Sequence, residues 1–294
     1  MSAMRRILLA CLFLLAAAGS AAAELLPAHK DRLFAYPGLL KVEDGGDYRV
    51  VAYDEMRDIN GRDEVPERKA QAKYVSAGIR RQQHDLVAET SAGKVPHIAV
   101  GTSRRASVIV VYLHGQGGSR RQGADDFSFG GNFNRIKNLV HAAGGLYLSP
   151  DFSDFDKAGA RQVSALLGIY MRASPAAKVV LACGSMGGAL CWRLARDPEM
   201  AARLGGLMLL GAMWDDGFLA SAAFRRGVPV FFGHGSRDSV FPVENVEAFY
   251  RKIRKSAPGY PVRMVRFETG SHGTPIRMTD WRETVNWMLA RAPQ

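Results

Sequence analysis

Lys178-Val179-Val180-Leu181-Ala182-Cys183-Gly184-Ser185-Met186-Gly187-Gly188-Ala189-Leu190 is the stretch that decides how this chain is read. An apolar run rich in β-branched residues predicts a buried strand, and the apolar stretch from Met186 to Arg196 predicts a helix. Between them a serine stands at a turn so tight that its neighbours must be small, and Gly184, Gly187 and Gly188 meet that need. Such a turn lifts the Ser185 hydroxyl clear of the sheet, at a helix N-terminus whose N–H groups favour developing negative charge. Taken alone, the segment favours this reading over a glycine-rich packing turn that happens to contain serine, and the rest of the chain must decide.

Two segments further along remove that ambiguity. Gly233-His234-Gly235-Ser236-Arg237-Asp238 follows the run Val228 to Phe232, and Glu268-Thr269-Gly270-Ser271-His272-Gly273 follows Val262 to Phe267. Each places an acid or an imidazole just past a strand end. A serine hydroxyl is a weak nucleophile at neutral pH and needs a base that titrates near 7, which histidine provides. A carboxylate then fixes the imidazole tautomer and stabilises the imidazolium. Ser185, Asp238 and His272 are therefore the candidate catalytic residues. Rival acids are Asp215 and Asp216, which follow the run Leu207 to Leu210. His234 reads as a turn residue or a support to Asp238, and Asp280 as a helix cap or a surface acid.

Upstream, Ser107 to Leu113 runs into His114-Gly115-Gln116-Gly117-Gly118. Acyl transfer passes through an oxyanion that two backbone N–H donors can stabilise. Met186 N–H, next to the nucleophile, and Gln116 N–H are the expected donors, with Gly117 as the substitute for Gln116. His114 precedes the glycine turn, in the wrong chain order for the base, and is read as structural.

These motifs resemble the α/β-hydrolase superfamily, in particular its esterase and dienelactone-hydrolase-like members. The resemblance covers Ser107 to the C-terminus. It rests on the His114 to Gly118 turn, Gly184-Ser185-Met186-Gly187-Gly188, Asp238 and Gly270-Ser271-His272-Gly273, in the chain order Ser, Asp, His that this fold uses. It implies a mostly parallel twisted sheet of about eight strands with helices on both faces, and cofactor-free hydrolysis of a small-molecule ester through an acyl-enzyme. One departure is Cys183, where the family prefers glycine two positions before the nucleophile.

The remaining pattern agrees with an α/β architecture. Further strand-like runs at Gly145 to Leu148 and Leu207 to Leu210 alternate with helical stretches at Asn134 to Ala142, Ala158 to Met171, Val243 to Lys255 and Thr279 to Ala290. From Glu24 to Arg105 the pattern is mixed, with strand signals only at Tyr48 to Tyr53 and His97 to Gly101. Phe127, Phe129 and Phe133, carried by a long glycine-rich loop from Gly123 to Asn134 beside the oxyanion turn, are candidate substrate-pocket residues or ordinary core. The connection between Gly211 and Val228 is short for a lid. Arg120 and Arg121 are either solvated surface or a site for an anionic substrate group.

Residues 1–23 read as a signal peptide: Arg5-Arg6, an apolar run from Ile7 to Ala18, and Ala21-Ala22-Ala23 before the expected cut. This predicts an exported, periplasmic or secreted protein, 24–294 as a single domain, and no integral membrane segment after cleavage. The Arg5-Arg6 pair is compatible with either Sec or twin-arginine export. The formal charge of +11 becomes +9 once Arg5 and Arg6 are removed. The basic residues are scattered as pairs among acids without an aromatic-basic stripe, so no nucleic-acid partner is expected. No metal-ligand spacing and no phosphate-binding loop occur. After cleavage two cysteines remain, Cys183 and Cys191. They are expected to stay unpaired, because the first ends a strand and the second points off the next helix. Two other readings remain beside the esterase. One is a different acyl transfer on the same residues, by a peptidase or an acyltransferase; the other is a non-catalytic binding protein that kept the fold.

Overall fold

A computed structural model describes residues 24–64 and 68–294; the expected signal peptide lies outside the described residues. The ten strands of the main sheet are β1 (Leu39–Glu43), β2 (Tyr48–Ala52), β5 (Gln83–Thr90), β6 (Gly93–Gly101), β7 (Val108–Leu113), β8 (Leu146–Pro150), β9 (Lys178–Gly184), β10 (Leu204–Leu210), β11 (Val230–Gly235) and β12 (Val262–Glu268). A separate two-stranded ribbon pairs β3 (Asp63–Glu64) with β4 (Lys69–Ala70). The order across the sheet is β1-β2-β12-β11-β10-β9-β7-β8-β6-β5.

From β2 through β8 every neighbouring pair is parallel. Antiparallel strands close the two edges, β1 on one side and β6 and β5 on the other. The sheet is therefore mostly parallel, as expected, but holds ten strands rather than about eight. The additional strands come from the mixed N-terminal stretch. Their own sequences could not announce them, since β1 and β5 lie at the sheet margins with most side chains in solvent.

Helices cover both faces because neighbouring strand residues point to opposite sides; the chain also forms three short helices, α1 (Asp31–Phe34), α5 (Pro198–Arg203) and α6 (Ala222–Arg225). On one face Val179, Leu181 and Cys183 pack against α3 (Lys157–Ala173), α4 (Gly188–Arg196) and α7 (Val243–Ser256). On the other, Val180 and Ala182 pack against α2 (Asn132–Ala142) and α9 (Trp281–Arg291). The carboxyl ends of the parallel strands form one rim. Leu113 is level with Cys183, Gly184 with Leu210, and Leu210 with Gly233.

Residues 53–64 and 68–82 form an irregular strap beside this rim, which the sequence left unassigned. Its anchors are charges buried far from their sequence neighbours. Arg277, on the short helix α8 (Thr274–Met278), makes a two-pronged pair with Asp63 at 3.0 and 2.6 Å and also donates to the Asp58 carbonyl. Arg62 lies over the rings of Phe34 and Tyr74, with its guanidinium carbon 5.1 and 4.7 Å from the ring centres.

The cysteine expectation is corrected. Cys183 and Cys191 are joined as a disulfide with Cα atoms 6.4 Å apart. Helix α4 packs back onto the face toward which Cys183 points, so the two side chains meet at a separation ordinary for a disulfide.

Candidate active site

The backbone turns abruptly after β9. Ser185 has φ of 51°, a left-handed conformation unusual for a residue with a side chain, and a 3₁₀ turn over Ser185–Gly187 leads into α4. Small neighbours make the geometry possible. A Cβ on Gly115 would stand 2.8 Å from the Ser185 Cβ, so the turn after β7 can approach the serine only as glycine. Gly211, at the end of β10, has φ of 56°, and a Cβ there would meet the His272 carbonyl at 2.6 Å. That close approach lets the loop after β12 fold over the rim.

His272 Nε2 lies 2.9 Å from Ser185 Oγ, and His272 Nδ1 lies 2.8 Å from Asp238 Oδ2. The three residues named from the sequence therefore come together in the order Asp, His, Ser, within hydrogen-bond reach at both steps. Asp238 has no exposed side-chain surface. Its Oδ1 accepts from the N–H groups of Val240 and Phe241 at 2.8 and 3.0 Å, and its Oδ2 from His272. His234 Nε2 stands 3.2 Å from the same Oδ2 and 2.7 Å from the Phe241 carbonyl. Burial pushes the carboxyl pKa up. The imidazole and backbone donors outweigh it and hold Asp238 well below the usual carboxylate range. An anion so placed keeps the proton of the neutral imidazole on Nδ1, leaving Nε2 free to accept the serine proton.

The other candidates sort by position. Asp215 pairs with Arg196 and caps the turn beginning at Asp216, while Asp216 pairs with Lys252 at 2.8 Å; neither touches His272. His114 stacks on Phe152 at 4.3 Å, and its Nδ1 contacts the Gly115 carbonyl, a packing role. Burial lowers its pKa. Asp280 caps α9 and pairs with the buried Arg135. Arg120 is held by Asp85 and Asp151, at 2.9 and 2.5 Å, and so latches the loop after β7 to the sheet edge instead of facing the cleft.

Beside Ser185 opens a cleft of about 510 Å³. Gln116 and Met186 both line it, and the backbone N–H of each donates to no acceptor among the described residues. Of the three phenylalanines, only Phe129 borders the cleft. It is held at φ of 48° ahead of Gly130 and Gly131. Phe133 is wholly buried against Tyr112 with ring centres 4.6 Å apart, and Phe127 lies under Arg80 away from the cleft, so these two are corrected to packing roles. Sequence reasoning missed Tyr112, Gln122, Val240, Phe241 and Ile276, which line the same space. The Pro242 that follows Phe241 was the one local hint of a fixed loop.

The segment from Gly211 to Val228 turns away from the cleft. Phe218 packs on Trp192, and Ala222 and Ala223 join the core on the α4 face. Among the described residues no cluster of three or more His, Cys, Asp or Glu could hold a metal ion, and no helix is long and apolar enough to cross a membrane.

No protein-family model matches the chain, and no curated protein sequence matches it. Solved structures do. The chain is similar to an esterase from Pyrococcus furiosus (TM-score 0.52, 16% identity, covering 71% of this chain and 92% of that one). It is also similar to an α/β serine hydrolase homologue from Coxiella burnetii (0.51, 18%, 69% and 95%). A third is an α/β serine hydrolase from Xanthomonas campestris described as lacking a lid (0.51, 15%, 72% and 96%). At such identities the likeness establishes the architecture: this chain has the α/β-hydrolase fold.

Proposed function

We propose that the protein is an exported serine hydrolase that cleaves carboxylic esters through an acyl-enzyme on Ser185. The observation that carries this reading is the unbroken hydrogen-bond path from Asp238 through His272 to Ser185 at the mouth of a mainly apolar cleft. As Ser185 Oγ attacks the ester carbon, its proton passes to His272 Nε2, and Asp238 stabilises the imidazolium that forms. The carbonyl oxygen becomes an oxyanion that the N–H groups of Gln116 and Met186 receive, a contribution of about 3 kcal/mol per donor. The imidazolium returns its proton to the departing alcohol as the C–O bond breaks. Water, deprotonated by the same imidazole, then attacks the acyl-enzyme and releases the acid and free Ser185.

Export rests on the character of residues 1–23 and is supported by the disulfide, since such bonds persist in oxidising compartments. A fluorophosphonate probe should label the wild-type chain and not Ser185→Ala, and p-nitrophenyl esters should be turned over only by the former. A wild-type protein that is folded, unlabelled and inactive on esters from acetate to octanoate would overturn the proposal. Adding competing alcohols and finding transesterified product in place of acid would redirect it to acyl transfer.

A further inference from the structure

The wall of the cleft on the β7 side contains a polar pair, Tyr112 and Gln122, in a lining that also holds the apolar Phe129 and Ile276. Tyr112 is fully buried, and its hydroxyl donates to Gln122 Oε1 at 3.1 Å. The amide is closely held: a Cβ on Gly118 would lie 3.1 Å from the same oxygen, and one on Gly184 would lie 2.7 Å from the Tyr112 hydroxyl. The orientation of the carboxamide follows from this contact. Were it reversed, the buried phenol O–H would face an NH₂ group and lose its acceptor, which is unfavourable for a group with no access to water. Burial also raises the Tyr112 pKa, so the phenol remains a donor. Gln122 thus lines the cleft with its two Nε2 hydrogens uncommitted, since no acceptor among the described residues takes them.

We infer that Gln122, oriented by Tyr112, is a specificity-determining residue that selects esters whose acyl group carries a neutral oxygen acceptor, a hydroxyl or a carbonyl, near the ester carbon. The inference rests on the acyl-hydrolase reading above. The acyl side follows from topology. His272 must protonate the leaving alcohol, so the alcohol lies toward β12, while Tyr112 and Gln122 belong to β7 and its following loop on the opposite side of β9. That the oxygen is neutral follows from the lining, which contains no Asp, Glu, Lys or Arg, and from Arg120 being held by two carboxylates. A carboxylate in this space would lose its hydration without gaining a counter-charge.

The test compares p-nitrophenyl 3-hydroxybutanoate with p-nitrophenyl 3-methylbutanoate, which differ by a hydroxyl in place of a methyl. The ratio of their kcat/KM values is measured in wild type, Gln122→Leu and Tyr112→Phe. Because the ratio is taken within each protein, a partly folded variant does not disturb it, and the intrinsic reactivity difference of the esters cancels between proteins. The preference for the hydroxy ester should fall about tenfold in Gln122→Leu, the worth of one hydrogen bond in a partly desolvated site, and by less in Tyr112→Phe. An unchanged ratio in Gln122→Leu would overturn the inference and leave the hydrolase reading intact, provided the methyl ester is still cleaved in a Ser185-dependent way. Turnover of neither ester by the wild type would remove both.

Discussion

The disulfide joins Cys183, two residues before Ser185, to Cys191 on α4, so the ring it closes contains the whole serine turn. Opening it by reduction removes no atoms from the core and isolates the constraint itself. For cysteines eight positions apart, the chain-entropy treatment of a closed loop gives about 2.5 kcal/mol of stabilisation at 25 °C. Unfolding entropy scales with length, so for the roughly 270 described residues this corresponds to a fall in Tm of about 4–5 °C. The assay is guanidinium unfolding followed by tryptophan fluorescence on two samples of one preparation. One sample is oxidised; the other is reduced in denaturant and refolded under reductant, with thiols counted by alkylation and mass. The reduced form should show an unchanged slope and a lower midpoint. Coincident curves, with two alkylated thiols verified in the reduced sample only, would refute the claim that this short ring stabilises the fold.

Three further outcomes follow from the same geometry. Because Ser185 sits at φ of 51°, Ser185→Gly should be more stable than Ser185→Ala by about 1 kcal/mol in denaturant melts, although both are inactive; the reverse order would deny the strain. Asp238 has a depressed pKa, so its contribution to stability is fully present above the unfolded value near 4 and is lost as pH falls through the lower folded value. The resistance of the wild type to urea should fall as the pH is lowered below about 4, and Asp238→Asn should show a shallower acid limb. Arg277→Met should cost about 3–5 kcal/mol, because it leaves the buried Asp63 without its partner, and adding Asp63→Leu should restore most of that loss in the same melts.

The serine turn, the acid and the histidine were legible because each lies within four residues of a strand end, in a glycine-bearing turn that local sequence is enough to recognise. What escaped was whatever depended on contacts distant in sequence. Leu39 to Glu43 and Gln83 to Thr90 carry mostly exposed side chains, so neither shows the burial alternation that marks a strand before its neighbour is known. The strap is held by Arg62 on Phe34 and Tyr74 and by Asp63 on Arg277, pairings no local pattern encodes. Phe127, Phe129 and Phe133 look alike in sequence, and only the left-handed turn at Phe129 sends one of them to the cleft. The disulfide escaped because it depends on the return of α4 onto the face toward which Cys183 points, a packing that the eight positions between the cysteines do not encode.

Arg277 follows His272 by five positions, and together with Thr269, whose hydroxyl donates to the Tyr53 carbonyl at 2.8 Å, it ties the strap to that end of the chain. The strap and the imidazole of the proposed triad are consequently moored to the same short stretch, Thr269 to Arg277. Sequence drift in residues 53–64 can therefore alter how the imidazole is presented without any change at the reacting atoms. A search for variants with altered proton-transfer behaviour has reason to begin there, outside the cleft.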